Sequence, residues 1–279
     1  MTDKVVFRKP QCLTDKAFLY CPGCSHGIAH RLVAEAIDEL GIRGRTVCVS
    51  SIGCSVRCWR NFDLDVVQGA HGRGLAVATG LKRALPDKVV FTYQGDGDLA
   101  AIGMAETVHA AARGEAITVI FVNNAVFGAT GGQMAPTTLV GQKTTTYPKG
   151  RDPGHVGMPI KVSEMLAQLP ATAYIAREAL SSPKHVLAAK KAVRRAFEVQ
   201  LAGGGFAMVE LLAACPINLK LPPVDALKWV EENMVRYYPL GELKSPPAAP
   251  PARAAGGTGV GATGGEGAGG RTCAGGGCQ

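Results

Sequence analysis

Between Lys88 and Asn124 the chain reads KVVFTYQGDGDLAAIGMAETVHAAARGEAITVIFVNN. Two strand-length runs, KVVFTYQ (88–94) and ITVIFVNN (117–124), carry the β-branched and aromatic residues that suit a pleated surface. Between them LAAIGMAETVHAAARG keeps helical spacing and stops at Gly114, the residue type that caps a helix in the left-handed conformation. Strand, helix, strand in this order is a βα unit with parallel strands, and runs that stay apolar without alternating belong to a sheet covered on both faces. Ligands of such sheets bind beyond the C-terminal strand ends. There the chain places Gly95-Asp96-Gly97-Asp98 after the first run and Asn123-Asn124 after the second. A carboxylate and a carboxamide from two strand ends are hard oxygen ligands that suit Mg2+. The glycines let backbone approach a phosphate, and a helix starting near Leu99 aims its N-terminus at the same point. Either motif alone also fits a turn with asparagine caps; together they describe a metal-bridged diphosphate site.

The pattern extends in both directions. TVCVSS (46–51), TAYIARE (172–178) and FAMVELL (206–212) are further strand runs, and HGIAHRLVAEAIDELG is a helix ending at Gly41. The fold expected is α/β, a doubly wound, mainly parallel sheet. From residue 245 SPPAAPPARAA leads into GGTGVGATGGEGAGGRTCAGGGCQ, which has almost nothing large to bury and reads as a disordered tail. Its literal G-x-G-x-x-G at Gly265, Gly267 and Gly270 has no strand before it and no helix after it. The organisation expected is an N-terminal arm over 1–19, one domain over 20–244 and the tail over 245–279.

With 279 residues, 47% of them apolar, the chain can bury a sizeable core. Its longest apolar runs, such as Ala116 to Val122, are strand-length, and the charged start MTDKVVFRKPQC offers no apolar core for a signal peptide, so a cytoplasmic chain without membrane association is expected. The formal net charge is +8, and the densest basic patch is KHVLAAKKAVRRAF, Lys184 to Phe197. There Val186, Val193 and Phe197 recur at helical spacing, so the charges read as the solvated face of a surface helix and no nucleic-acid partner is expected. No Gly-Lys pair exists for a Walker A loop.

The 28 positions from Asp96 to Asn124 resemble the thiamine diphosphate signature, GDG followed by a helix, a strand and NN. That resemblance implies Mg2+ held by Asp96, Asn124 and the main-chain carbonyl of Val126. Nine cysteines are more than packing requires in a reducing compartment. CPGCSHG (21–27) leaves zinc, a redox dithiol or an iron–sulfur cluster open, although a zinc ribbon wants two such knuckles. Cys54 and Cys215 follow strand runs, the latter before Pro216 as at ferredoxin ligands. With Cys21 and Cys24 they make four thiols beside a thiamine site, and a 4Fe–4S cluster is the best reading. Cys12 and Cys48 read as buried small hydrophobes, Cys58 stays open, and His26, His30, His109 and Glu106 read as ordinary helix residues.

From about Tyr20 to Lys244 the chain resembles the thiamine-binding β subunit of the 2-oxoacid:ferredoxin oxidoreductases. CPGCSHGIAHR, IGCS, AHGRGLAVATGLK, YQGDGDLA, VNNAVFGATGGQMAPTT and ACPINL stand in that family's order. The resemblance implies a 4Fe–4S cluster on Cys21, Cys24, Cys54 and Cys215. It implies thiamine diphosphate lined by Ile52, Gly53, Cys54 and Ser55, by His71, Gly72, Arg73 and Gly74, and by Gly97, Asp98, Gly128 and Ala129, with His71 and Arg73 as the catalytic contacts. Ser25 and Gly74 depart from the family's usual residues without removing a ligand. Also implied are oxidative decarboxylation of a 2-oxoacid to acyl-coenzyme A with reduction of ferredoxin, an α subunit that supplies the activating glutamate, and γ and ferredoxin-like δ subunits. The loop AVFGATGGQMAPTTLVGQ carries no Lys or Arg for a distal carboxylate. That favours an apolar acid of the 2-oxoisovalerate, branched-chain type over 2-oxoglutarate or pyruvate. A non-oxidative thiamine-dependent lyase and a zinc or thiol-redox binding module are the competing readings.

Overall fold

A computed structural model describes residues 8–246. In chain order its strands are β1 (Thr46–Ser50), β2 (Asp65–Gln68), β3 (Val89–Gly95), β4 (Thr118–Asn123), the short pair β5 (Val126–Phe127) and β6 (Gln133–Met134), β7 (Thr172–Ala179), β8 (Phe206–Leu212) and β9 (Gly241–Lys244). Seven form one sheet in the order β2-β1-β3-β4-β8-β7-β9, with neighbours parallel except β9, which runs antiparallel to β7. The α-helices are α1 (His26–Glu39), α2 (Gly74–Ala84), α3 (Met104–Ala112), the single turn α4 (Pro153–Val156), α5 (Val162–Ala167), α6 (Pro183–Leu201) and, after β8, the short α7 (Pro216–Leu219), α8 (Pro223–Trp229) and α9 (Val235–Tyr237). Among the described residues no helix is long and apolar enough to cross a membrane. The tail expected from residue 245 lies, from residue 247 on, outside the described residues.

Successive strand residues enter two cores. Cys48, Phe91, Tyr93, Ile120 and Val122 pack with α1 and α6, while Val49, Val90, Val119 and Phe121 pack with α2, α3 and α5. Every residue of β4 and β8 is buried, which is why these strands read as unbroken apolar runs. Each large side chain so buried contributes about 1.5–3 kcal/mol. The chain leaves β1 for β2 on one side and returns to β3 on the other, so the strand order reverses between β1 and β3. In an open α/β sheet, the crevice beyond the strand ends at that reversal is the binding position.

The five expected strand runs are all present, within a residue or two at their ends. β2 and β9 have no counterpart among them. β2 is four residues long and largely exposed, so it lacks the apolar signal of a buried strand. The helix expected near Leu99 is also wound differently: Gly97–Ile102 forms a π-turn in which the Gly103 amide donates to the Asp98 carbonyl at 2.8 Å, and α3 follows. The basic face of α6 is partly tied down, since Lys190 reaches Glu35 at 2.9 Å and Glu39 at 2.8 Å on α1, and Arg194 reaches Glu39 at 3.1 Å. Residues 8–19 lie on the domain. The Cys12 amide donates to Asp38 at 3.1 Å, the Thr14 amide to the Asn61 carbonyl at 2.9 Å, and Cys12 is fully buried.

Candidate functional site

At the reversal point lies a cavity of about 320 Å3, near the lower limit for small-molecule sites. Its walls come from the loop after β1 (Ile52–Arg57), His71, the end of β3 with the π-turn (Gly95–Asp98) and the turn after β4 (Asn124, Val126–Thr130), with His26 from α1. A larger open groove of about 610 Å3 between the N-terminal segment and α1 is lined largely by charges, several of them already paired with each other. The residues that carry chemistry gather in the smaller cavity.

Asp96 is 3% exposed. Its Oδ1 accepts from the Gly97 amide at 2.7 Å and its Oδ2 from the Thr137 hydroxyl at 2.9 Å. Burial pushes its pKa up to about 7, and the hydrogen bonds from Thr137 and from the Gly97, Val126 and Ala125 amides only partly offset this. Beside it, the two asparagines after β4 have separate tasks. Asn123 is fully buried, its Nδ2 donating to Glu210 at 2.8 Å and its Oδ1 accepting from the Ala125 amide at 3.1 Å. That bond holds Ala125 left-handed at φ 61°, a conformation costly for a residue with a Cβ. The Thr138 hydroxyl clamps the Ala125 carbonyl at 2.6 Å. The turn so fixed presents Asn124 and Val126 to the cavity. One carboxylate, one carboxamide and one main-chain carbonyl on a single wall are a donor set that fits a hard divalent cation.

Asp98 is 2% exposed and lines the cavity, but its carboxylate faces four internal donors. Oδ1 lies 2.7 Å from the Ser51 hydroxyl, 2.7 Å from the Gly72 amide and 2.6 Å from His71 Nδ1, while Gln94 donates to Oδ2. Four donors spread over three other segments make Asp98 the clamp that folds the His71–Gly72 loop over the π-turn. Because the carboxylate accepts from Nδ1, His71 is left with Nε2 available at the cavity wall. In Asp98→Asn the amide would present a donor to donors and His71 would lose its orientation. The His71–Gly72 loop should then exchange its backbone amide hydrogens faster in the folded chain, and unchanged protection of the Gly72 amide would remove Asp98 as its clamp.

Gly72 is tied to the same clamp. Its φ is +75°, and a Cβ there would stand 2.6 Å from the Ile102 side chain and 2.7 Å from the Gly103 amide nitrogen. Gly72→Ala should therefore lower stability by about 3 kcal/mol, from left-handed strain and overpacking together, read as a drop in the urea midpoint at unchanged slope.

Of the residues expected at the cofactor, Ile52, Gly53, Cys54, Ser55, His71, Asp96, Gly97, Asp98, Asn124, Val126, Gly128 and Ala129 line the cavity, and Gly72, Arg73 and Gly74 do not. Arg73 forms an ion pair of 2.7 Å with Glu106 on α3, where it also meets the Ile102 carbonyl at 3.4 Å. Glu106 thus anchors Arg73 rather than serving as a bare helix residue. Sequence reasoning read His26 as an ordinary helix residue and passed over Arg57 and Phe127, all three at the cavity. His26 bonds the Tyr93 hydroxyl through Nδ1 at 2.9 Å, and burial holds its pKa near 4. Its place two residues after Cys24 is the signal that could have found it. Phe127 lies against Gly97, where a Cβ would stand 2.3 Å from the ring.

Cys21, Cys24, Cys54 and Cys215 meet beside this cavity, each within electrostatic reach of the other three. Burial raises the thiol pKa of Cys24 to about 12 and of Cys54 to about 11, and raises that of Cys215. Asn218 donates to Cys215 Sγ at 3.1 Å. Among the described residues no three His, Cys, Asp or Glu side chains form a group tight enough for a single metal ion. Cys48 and Cys58 are fully buried 3.9 Å apart, in the core with Cys12.

Residues 51–211 match the family model of the thiamine pyrophosphate enzymes' C-terminal TPP-binding domain, so the fold is that of a thiamine diphosphate-binding domain. The chain is 48% identical over 254 residues to the ketoisovalerate oxidoreductase subunit VorA of Methanothermobacter thermautotrophicus, an alignment covering 88% of this chain and 53% of that protein. It is 38% identical to the 2-oxoglutarate synthase subunit KorB of Archaeoglobus fulgidus, over 78% of this chain and 77% of the relative. A solved 2-oxoglutarate:ferredoxin oxidoreductase from Magnetococcus marinus, with 2-oxoglutarate, coenzyme A and succinyl-CoA bound, superposes with a TM-score of 0.73 at 25% identity, covering 89% of this chain and 88% of that one. The chain belongs to the thiamine-dependent 2-oxoacid:ferredoxin oxidoreductase subunits. It spans about half the length of the VorA relatives.

Proposed function

We propose that this chain is the catalytic β subunit of a 2-oxoacid:ferredoxin oxidoreductase, acting on 2-oxoisovalerate or a similar branched-chain acid. The observation that carries this is the meeting, at one strand-order reversal, of the Asp96–Asn124–Val126 oxygen wall, the clamped His71 and the four thiols. The reaction converts a 2-oxoacid anion, coenzyme A and two oxidised ferredoxins into acyl-coenzyme A, carbon dioxide, two reduced ferredoxins and one proton. Thiamine diphosphate, when bound, supplies the electron sink for decarboxylation, and a cluster carries the electrons out.

The remaining work falls to side chains of this chain. Asp96, Asn124 and the Val126 carbonyl would hold Mg2+ against the diphosphate. Gly97 leaves room for the Phe127 ring, which walls the cavity on one side. His71 can hold or move a proton at Nε2 while Asp98 keeps its ring in place. The four cysteines would ligate a 4Fe–4S cluster. Four thiols beside the cavity, each within electrostatic reach of the other three, match in number the four thiolates that a 4Fe–4S cluster takes, and that supports the cluster.

The substrate reading rests on relatives near half identity that act on ketoisovalerate by name and on the uncharged loop 125–142. Arg57 at the cavity, the KorB relative and the 2-oxoglutarate-bound structure favour 2-oxoglutarate instead, although the relatives are less similar and the Arg57 guanidinium bonds the Leu19 carbonyl. The full complex should include the α subunit, with γ and ferredoxin-like δ subunits and ferredoxin as partners. The test is anaerobic purification with these partners, metal and sulfide analysis, and ferredoxin reduction with coenzyme A and each 2-oxoacid. Faster turnover of 2-oxoisovalerate than of 2-oxoglutarate or pyruvate is expected. Decarboxylation needing neither iron nor ferredoxin would replace the proposal with a non-oxidative lyase.

A further inference from the structure

Beneath the cavity, within the sheet, lies a buried ion triplet. Arg177 on β7 and Glu210 on β8 are neighbours in strand register, with side chains 0% and 1% exposed. Arg177 Nε donates to Glu210 Oε2 at 2.7 Å, and its Nη1 donates to Glu164 on α5 at 2.9 Å and to the Pro239 carbonyl at 3.1 Å. Replacing a buried ion set of this kind with apolar packing is often neutral or stabilising, so its presence calls for another reason.

Two arms lead from the triplet to the oxygen wall. In the first, Glu210 Oε1 takes the Asn123 amide at 2.8 Å, and Asn123 Oδ1 then fixes Ala125 in the turn that presents Asn124 and Val126. In the second, the guanidinium lies over the Tyr238 ring, 5.1 Å from its centroid. The Tyr238 hydroxyl donates to the Thr137 carbonyl at 2.8 Å, and the Thr137 hydroxyl donates to Asp96 Oδ2 at 2.9 Å. One arm therefore ends on the β4 half of the donor set and the other on the β3 half.

We propose that Arg177, Glu210 and Tyr238 are positioning residues for the divalent-cation site, setting the separation of Asp96 from Asn124 and Val126. This rests on the proposed function, because it takes those three groups as Mg2+ ligands. A cation near 2.0–2.1 Å from its ligands demands close to ideal octahedral placement, and outer groups that orient ligands are worth about 10–100-fold in metal affinity.

The test uses the purified, metal-stripped complex and measures thiamine diphosphate binding by equilibrium dialysis against increasing Mg2+. Glu210→Gln and Tyr238→Phe should each raise the half-saturating Mg2+ concentration about tenfold or more, with thiamine diphosphate bound fully once Mg2+ is in excess. Glu115→Gln serves as the structural control. It breaks the pairs with Arg83 and Arg113, 2.6 Å and 2.7 Å long, just ahead of β4 at the opposite end of the sheet. It should lower thermal stability without moving the Mg2+ midpoint. If Glu210→Gln fails to fold, Tyr238→Phe decides alone, since it removes one hydroxyl and keeps the ring. A Mg2+ midpoint within twofold of wild type in folded Tyr238→Phe overturns the inference. No Mg2+-dependent binding in the wild-type complex would overturn the metal assignment itself, and this inference with it.

Discussion

Asp96→Ala is expected to lose Mg2+-dependent thiamine diphosphate binding by more than about 100-fold, because Asp96 is the only carboxylate in a donor set otherwise made of a carboxamide and a carbonyl. Activity should vanish with it, while the iron content of the complex stays unchanged. A second signature follows from the raised pKa. Burial lifts Asp96 from 3.8 to about 7 in the metal-free folded chain, so the folded state holds its proton more tightly than the unfolded state does. That contribution to stability is fully present below about pH 4 and is lost as the pH rises through about 7, amounting to roughly 4 kcal/mol at most. In chelator, wild type should therefore lose stability relative to Asp96→Ala between about pH 4 and pH 7, and Mg2+ with cofactor should restore wild type alone at pH 8. Normal cofactor retention in the variant at ordinary Mg2+ would falsify the metal assignment.

Cys215→Ser is expected to strip the complex of about four irons and four sulfides per chain and to abolish ferredoxin reduction, with Mg2+-dependent cofactor binding intact. Cys215 sits at the end of β8, where it precedes the short helix Pro216–Leu219 and receives a hydrogen bond from Asn218. Serine keeps the turn but replaces a soft thiolate with a hard oxygen, which iron–sulfur clusters hold poorly. The buried thiols nearby have pKa values pushed up to about 11 and 12, so assembling the cluster must release protons, and its yield should fall in acid. Cys48→Ser is the internal comparison. It lies in the core and should cost stability while leaving iron in place. A Cys215→Ser complex with full iron and an unchanged EPR spectrum would remove Cys215 from the cluster ligands.

The parallel sheet was legible because β3, β4 and β8 are buried on both faces and leave uninterrupted apolar runs. β2 escaped because a short, exposed edge strand has no such run. Strand-end position pointed to the GDGD and Asn123-Asn124 motifs, and the family resemblance supplied most of the other lining residues, but the task of Asp98 could not be read from either. Its four donors, Ser51, His71, Gly72 and Gln94, meet it only after β1 and β3 pair and the loop before α2 folds back. The division of labour between Asn123 and Asn124 was hidden for the same reason: Glu210, the partner that takes Asn123 out of the cavity, lies 87 residues away. Arg73, plausible at the cofactor from its place in HGR, is drawn to Glu106 by an ion pair that its loop motif does not disclose.

The pairing of β4 with β8 has a consequence for biosynthesis. Residues 118–123 are wholly buried, yet their second neighbour, residues 206–212, leaves the ribosome more than eighty residues later. Throughout that interval the nascent chain carries TVIFVN with one side bare, a template for misdirected strand addition. Folding before translation reaches Leu212 can complete only the β2–β1–β3–β4 half. The two groups that tie Asn123 and Asp96 from below, Glu210 and Tyr238, arrive with the last part of the domain, so the hydrogen bonds that fix this wall of the cavity are complete only as synthesis of the domain ends.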